Sequence, residues 1–338
     1  MNRSHRQGMI AAAAGAAALL LLFVDPNASL GGWLAAAVFC GSVPIGALAL
    51  LMMMNLIPGS WREELLPQTE RLVWLLPAAA IVMLPILLGV GRLYPWVDLS
   101  LHGYRAVYLS VWAFDLRTML FFCVAIVLAS LLLARPRASV VISSVGLIAF
   151  VLLDTTVMID WLMSLDPQFH SSGFGLYAMS IQFIVAVAVL LHLRLSAGSA
   201  GEHIGVLGGL LLTVLMLWAY LAFMQYFILW SGNLPPGVDW YRRRGEGGWA
   251  ALEYAIAALD LVPLFLLFFA PIRRSRQWLR RLCFIVLAGK ALELVWLVLP
   301  AVSGAGIGIA SMMLAVVGIY AVMALSLGRA PWRLWGLS

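Results

Sequence analysis

Lys290 is the only lysine of the chain, and it stands inside an apolar run, Cys283–Pro300, with Glu293 three residues on. Three residues apart on a helix, the two side chains touch. Asp154, Glu253 and Asp260 lie inside other apolar runs. A charge at membrane depth costs several kcal/mol unless it is paired or neutralised, so such residues mark proton, ion or substrate paths. Glu253 and Asp260 are seven apart and share one helix face. The chemistry these types support is proton conduction, with Lys290 holding its neighbouring acid ionised or titrating with it. The competing reading is structural: Lys290–Glu293 as an ion pair that packs helices, with the other acids hydrogen-bonded to neighbours.

The elements that must position these residues are membrane helices. The chain is 64% hydrophobic and 11% charged over 338 residues, where a soluble domain has about a quarter of its residues charged. Ten runs have about the length needed to cross a ~30 Å hydrocarbon core: 9–24, 31–57, 71–91, 114–134, 139–161, 173–194, 204–230, 248–270, 279–300 and 305–327. The pattern predicts an all-α polytopic membrane protein. The first run, behind Arg3 and Arg6, also has the form of a signal peptide. The runs after it exclude a soluble mature protein, so it is read as a span. Of the twenty arginines, Arg92, Arg105, Arg117, Arg242, Arg243 and Arg244 fall on one side, and the other fourteen on the other. The positive-inside rule then places both termini in the cytoplasm. The net charge of +6 is spread over loops and forms no nucleic-acid surface.

On this topology, helical rise places Asp160 at the outer edge. Glu253 lies ~8 Å in, Asp154 and Glu293 ~10 Å, Lys290 ~15 Å and Asp260 ~18 Å. The acids form a ladder from the outer surface to mid-membrane, a half-channel. The inner half offers only His192, Ser143, Ser144 and Thr213. Spans two to five (31–161) and six to nine (173–300) read as two four-helix units in the same orientation, followed by the final span 305–327. Asp154 and Glu293 each stand seven residues before the outer end of a unit's last helix. Parallel duplications of this kind place sites near the interface of the halves.

Other chemistries lack their residues. Cys40, Cys123 and Cys283 all lie inside apolar runs without a CxxC neighbour, so neither a disulfide framework nor a metal cluster is supported. Of the five histidines only His192 lies in a span, which excludes the paired axial ligands of b-type haems. No nucleotide loop, nucleophile elbow or zinc-protease motif occurs. The outer loops 92–113 and 231–247 are rich in aromatics and arginine, as an interfacial belt or a docking surface for a partner would be.

Two segments remain. One runs Asp160-Trp161-Leu162-Met163-Ser164-Leu165-Asp166-Pro167, then Phe169-His170-Ser171 and Phe174-Gly175. The other runs from Trp218-Ala219-Tyr220 through Phe223, Gln225-Tyr226, Ile228 and Trp230 to Asn233-Leu234-Pro235. Each sets aromatics beside hydrogen-bonding groups at the membrane edge, as a quinone headgroup site does and as a capped helix end in an aromatic belt also does. With Trp240-Tyr241, Gly247-Gly248-Trp249 and the Lys290–Pro300 stretch, they resemble a membrane component of bacterial alternative complex III, its quinone-binding subunit 2. That complex is a quinol:cytochrome c oxidoreductase. The resemblance covers spans five to nine, and spans one to four match in character only. It departs at Asp260, where the family tends to have histidine.

The resemblance implies a fold of two four-helix bundles shared with polysulfide-reductase-type (NrfD-like) membrane subunits. It implies a bacterial inner-membrane complex with an iron–sulfur subunit, c-type cytochromes, a second subunit of the same type and, in some cases, a haem-copper oxidase. This chain would hold no metal of its own and would support quinol oxidation and proton translocation as a non-catalytic subunit. The expected proton path is Asp154, Asp160, Glu253, Asp260, Lys290 and Glu293. The expected quinone region is Trp161, His170, Tyr226 and Trp230. Two other functions stay open on the sequence: a proton-coupled secondary transporter, and the membrane anchor of a polysulfide- or nitrite-reductase-type complex.

Overall fold

In a computed structural model, residues 3–134, 139–197, 203–232 and 235–329 are described. Asn233 and Leu234 of the second motif, and Arg135, Arg137 and Arg333 of the charge count, lie outside the described residues. The described chain is all-α, and nine helical stretches of it, one of them the interrupted stretch Leu76–Leu93, are long and apolar enough to cross a membrane. It is an all-α polytopic membrane protein.

The first expected span is the exception. Helix α1 (Arg3–Leu20) continues as a short turn over Leu21–Phe23, and its apolar part, Ala12–Phe23, is shorter than a span. The reason lies just beyond it. Asp25 accepts from the Ala28 amide as N-cap, and Pro26 occupies the first turn of α2 (Pro26–Leu56). Both residues start a helix and so end the one before. Helix α2 therefore begins before the expected residue 31.

The segment after α2, expected as a loop, is the amphipathic helix α3 (Ser60–Val73). The expected span 71–91 is two helices, α4 (Leu76–Val82) and α5 (Leu84–Leu93), broken at Met83. Pro77 and Pro85 sit in their first turns and lack the N–H that would continue a single ladder. The Val82 carbonyl, at this break, accepts from the Trp33 indole at 2.9 Å.

The short α6 (Tyr104–Tyr108) leads into α7 (Val111–Ala134), followed by α8 (Ser139–Trp161) and α9 (Phe174–Ser196). Helices α10 (Ile204–Gly232), α11 (Pro235–Arg244) and α12 (Gly247–Leu267) come next. The single turn α13 (Ala270–Arg273) precedes α14 (Arg276–Val298) and α15 (Ala305–Arg329). From α7 onward the long helices fall within a few residues of the expected runs.

Helices α2 and α9 are buried nearly all round and pack against each other at the centre. Around them the other helices pack as follows. In 31–161, α2 packs on α4–α5 and on α8, and α7 packs on α8; in 173–300, α9 packs on α10 and on α14, and α12 packs on α14. Across the units, α2 meets α14 and α9 meets α8. Helix α15 lies along α2, with α1 outside it.

Close packing at α2–α15 depends on glycine. A Cβ on Gly32 would come 2.1 Å from the Gly308 carbonyl oxygen and 2.9 Å from the Met312 nitrogen. Those are backbone atoms and cannot swing aside. Gly32→Val is expected to destabilise the chain by about 1–3 kcal/mol, the usual cost of overpacking. A lower melting temperature in detergent, with wild-type melting for Gly209→Val, whose Cβ would meet open space, checks this.

Candidate functional site

Helices α9, α10, α12 and α14 bring a buried charge cluster together. The Lys290 ammonium lies 2.6 Å from Glu293 Oε2 and 3.1 Å from Asp260 Oδ2, and all three residues are essentially inaccessible. The Lys290–Glu293 contact is the one their spacing requires. Asp260 has no partner near it in sequence, and the fold supplies Lys290 from the facing helix. Gly289 makes this possible, because a Cβ there would meet both Asp260 carboxylate oxygens at about 3 Å. Two residues outside the expected set complete the cluster. Tyr177 on α9 donates a short hydrogen bond to Glu293 Oε1, and the Trp218 indole on α10 donates to the same oxygen at 2.9 Å. Lys290 also sits 3.3 Å from the centre of the Trp218 ring, a cation–π contact that compensates part of its lost hydration.

A cleft of about 160 Å³ adjoins the cluster. Its walls include Trp218, Tyr226, Trp240, Tyr241 and Trp296, with Glu253 exposed at its edge and Glu293 buried on its inner wall. Gln225 also lines it and is buried. Its Oε1 accepts from Ser171 at 2.6 Å, while its Nε2 has no partner among the described residues. Helix α11 covers this end. Arg244, 2% exposed, donates to the carbonyls of Trp296 (3.2 Å), Leu297 (3.0 Å) and Trp240 (3.3 Å), and its guanidinium lies 3.7 Å from the Trp240 ring. It thereby caps the C-terminal carbonyls of α14, where a cation is favourable. Burial lowers the Arg244 guanidinium from its ordinary value, and nearby Asp166 opposes the shift. Burial, with the Glu253 charge added, pushes the Tyr241 phenol up. Arg243 pairs with Asp166, tying α11 to the loop after α8.

The remaining expected residues are dispersed. Asp160 is fully buried and paired with Arg117 on α7, at 2.5 Å from its Nε and 3.1 Å from its Nη2. Arg117 also donates to the Tyr108 carbonyl and lies 4.1 Å from that ring's centre. Burial and the Asp160 charge push the Tyr108 phenol up to about 12. Asp154 is fully buried on α8, and among the described residues no cation pairs with it. The polar group beside it is the Gln182 amide on α9. The two acids that occupy matching sequence positions thus have different settings. Asp154 faces Gln182 on α9, whereas Glu293 faces Tyr177 on α9 and Trp218 on α10.

Of the expected quinone residues, Tyr226 lines the cleft and meets the Tyr241 ring edge-on at 5.3 Å. Trp161 is 1% exposed, packs against Phe121 and Phe122, and donates to Thr118 at 3.0 Å. It belongs to the core of the first unit. His170 is exposed beside a separate hollow of about 190 Å³, formed with Tyr104, Arg105 and Tyr108. Trp230 is 63% exposed on the outer face of α10.

The opposite end holds an acid that the apolar runs do not reveal. Glu64, on α3, accepts from Arg194 Nε at 2.8 Å, and His203 Nδ1 lies 3.6 Å from it. Of the residues expected to serve that half, Ser144 and Thr213 bond to carbonyls of their own helices. Ser143 accepts from Asn55 at 3.1 Å. The His192 ring packs on Phe284 at 4.4 Å. Among the described residues, no three His, Cys, Asp or Glu side chains are grouped to hold a metal ion.

No protein-family model matches this chain, and no curated protein matches it.

Proposed function

We propose that this chain is a proton-conducting, non-catalytic membrane subunit of a respiratory quinol:cytochrome c oxidoreductase, set in a bacterial inner membrane with both termini cytoplasmic. The observation that carries the proton reading is the buried cluster of two carboxylates and one ammonium beside a cleft with a third carboxylate, Glu253, at its edge. One lysine cannot neutralise two acids in a low-dielectric setting, so the cluster has a place for a proton. Glu253 passes protons between the open cleft and the cluster, and Asp260 continues the route inward. Asp160 is left as a fixed ion pair with Arg117, and Asp154 stands apart from the cleft.

The quinol reading rests on the long motif resemblance of spans five to nine. The residues around the cleft suit a quinone headgroup. Gln225 Nε2 offers a donor for a carbonyl, Glu253 and Glu293 offer acceptors for a hydroxyl, and the aromatic walls match a flat ring. A quinol bound here supplies protons when it is oxidised by redox centres in partner subunits. Those partners, an iron–sulfur subunit, c-type cytochromes and a second subunit of the same membrane type, belong to the same proposal.

The test is purification of the tagged chain from its native cell in mild detergent, with a reduced-minus-oxidised spectrum and mass spectrometry of the co-purifying proteins. Covalent c-type haem bands with a large iron–sulfur protein are expected. A stable, haem-free lone polypeptide would contradict the proposal and favour an autonomous proton-coupled transporter.

A further inference from the structure

The two acids of the cluster are not equivalent, and we propose that they divide the work: Glu293 is a permanent anion that anchors Lys290, and Asp260 is the group that takes up and releases the proton. The inference rests on the proton-conduction reading and names the carrier within it.

Every polar valence of Glu293 that the fold can reach is satisfied in the charged form. Oε1 accepts from the Tyr177 hydroxyl and the Trp218 indole, and Oε2 accepts from Lys290 at 2.6 Å. Three donors converging on one carboxylate hold it as the anion. Protonating it would turn one of those donors against a new O–H.

Asp260 is the opposite case. Among the described residues neither of its oxygens has a well-formed hydrogen-bond donor, although both are buried. Among the described residues the cation paired with it is Lys290, 3.1 Å away and already committed at shorter range to Glu293. The titratable groups that act on it are Lys290 and Glu293 on α14 and Tyr177 on α9, and Glu253 stands two turns away on its own helix. None of them gives it a second donor. Gly289 leaves its carboxylate lying against the backbone of α14, where a side chain would crowd it.

The step is a proton transfer and nothing else. A proton adds to an Asp260 carboxylate oxygen and makes the neutral acid. Lys290 keeps its ammonium and is then shared with no one but Glu293. When the proton leaves, Lys290 again stands between two anions. The ammonium thus needs to move only between 2.6 and 3.1 Å contacts that already exist.

Infrared spectroscopy of the purified full chain, with whatever subunits accompany it, reads this directly through the carboxylic-acid C=O stretch. The expected band shifts down in protein grown on carboxyl-13C aspartate and not on labelled glutamate. It is lost from the spectrum of Asp260→Asn, and it keeps its frequency in Tyr177→Phe and Trp218→Phe, which remove donors from Glu293 alone. A band that moves with labelled glutamate or with Tyr177→Phe, or a spectrum that Asp260→Asn leaves unchanged in this region, overturns the assignment. The phenylalanine variants and isotope labels keep the test open if Asp260→Asn fails to fold. Proton flux is read separately. If Asp260→Asn loses the band while flux persists, the assignment stands and the conduction reading falls.

Discussion

Lys290→Met is expected to leave little folded protein. The substitution keeps the length of the side chain and removes its charge, so Asp260 and Glu293 face each other without a cation in a site from which water is excluded. Removing one partner of a buried ion pair costs about 3–5 kcal/mol, because the remaining charge is uncompensated. Here Glu293 loses its cation, and Asp260 must stay protonated or repel it. The marginal stability of a folded chain, about 5–15 kcal/mol, makes such a loss visible as poor accumulation. The double variant Lys290→Met with Asp260→Asn is expected to recover much of the yield, since Glu293 retains Tyr177 and Trp218 as donors. Size-exclusion yield and melting in detergent check both. Wild-type melting of the single variant would contradict the cluster.

The second large effect is expected at Arg244, which joins α11 to the end of α14. Arg244→Ala leaves the Trp296 and Leu297 carbonyls buried without donors, at a cost of about 1–3 kcal/mol each when unsatisfied. It also removes the guanidinium stacked on Trp240. The loss is local, so hydrogen exchange of 235–244 should rise well before global unfolding. Arg244→Lys is expected to restore only part of the protection, because an ammonium lacks the planar fork that reaches several carbonyls. Unchanged exchange in Arg244→Ala would show that α11 is held by other contacts.

The long helices are legible because each is one local signal, an apolar run of sufficient length. The run 139–161 and the helix Ser139–Trp161 coincide. Local signals also suffice for Lys290–Glu293, where three-residue spacing dictates contact. They fail wherever a local start signal competes with an apolar run. Asp25 and Pro26 end the first helix early, and Pro77 and Pro85 divide the third run. Helix α3 escapes a search for apolar runs because it is amphipathic, and with it goes the buried Glu64.

The site is legible in its charges and not in its neutral donors. Nothing in the sequence around Tyr177 sets it apart, and Trp218 stands out only as the first residue of a motif; both acquire their role from α14 across the bundle. Asp260 meets Lys290 in the same way, through a helix–helix contact that no spacing rule encodes. Trp161 illustrates the reverse. Its place in a conspicuous motif reflects packing against Phe121 and Phe122 rather than the edge of the cleft.

Proton flux is the most direct test of the central claim. The purified chain, with its co-purifying subunits, would be reconstituted in liposomes, and internal pH followed after a valinomycin-driven potassium potential is applied. Wild-type vesicles should acidify in proportion to the potential. Asp260→Asn, checked first for wild-type elution and helicity, should lose about 100-fold in rate, the scale on which a positioned proton-transfer group contributes. Equal flux in wild type and Asp260→Asn would show that protons do not pass through the Lys290 cluster.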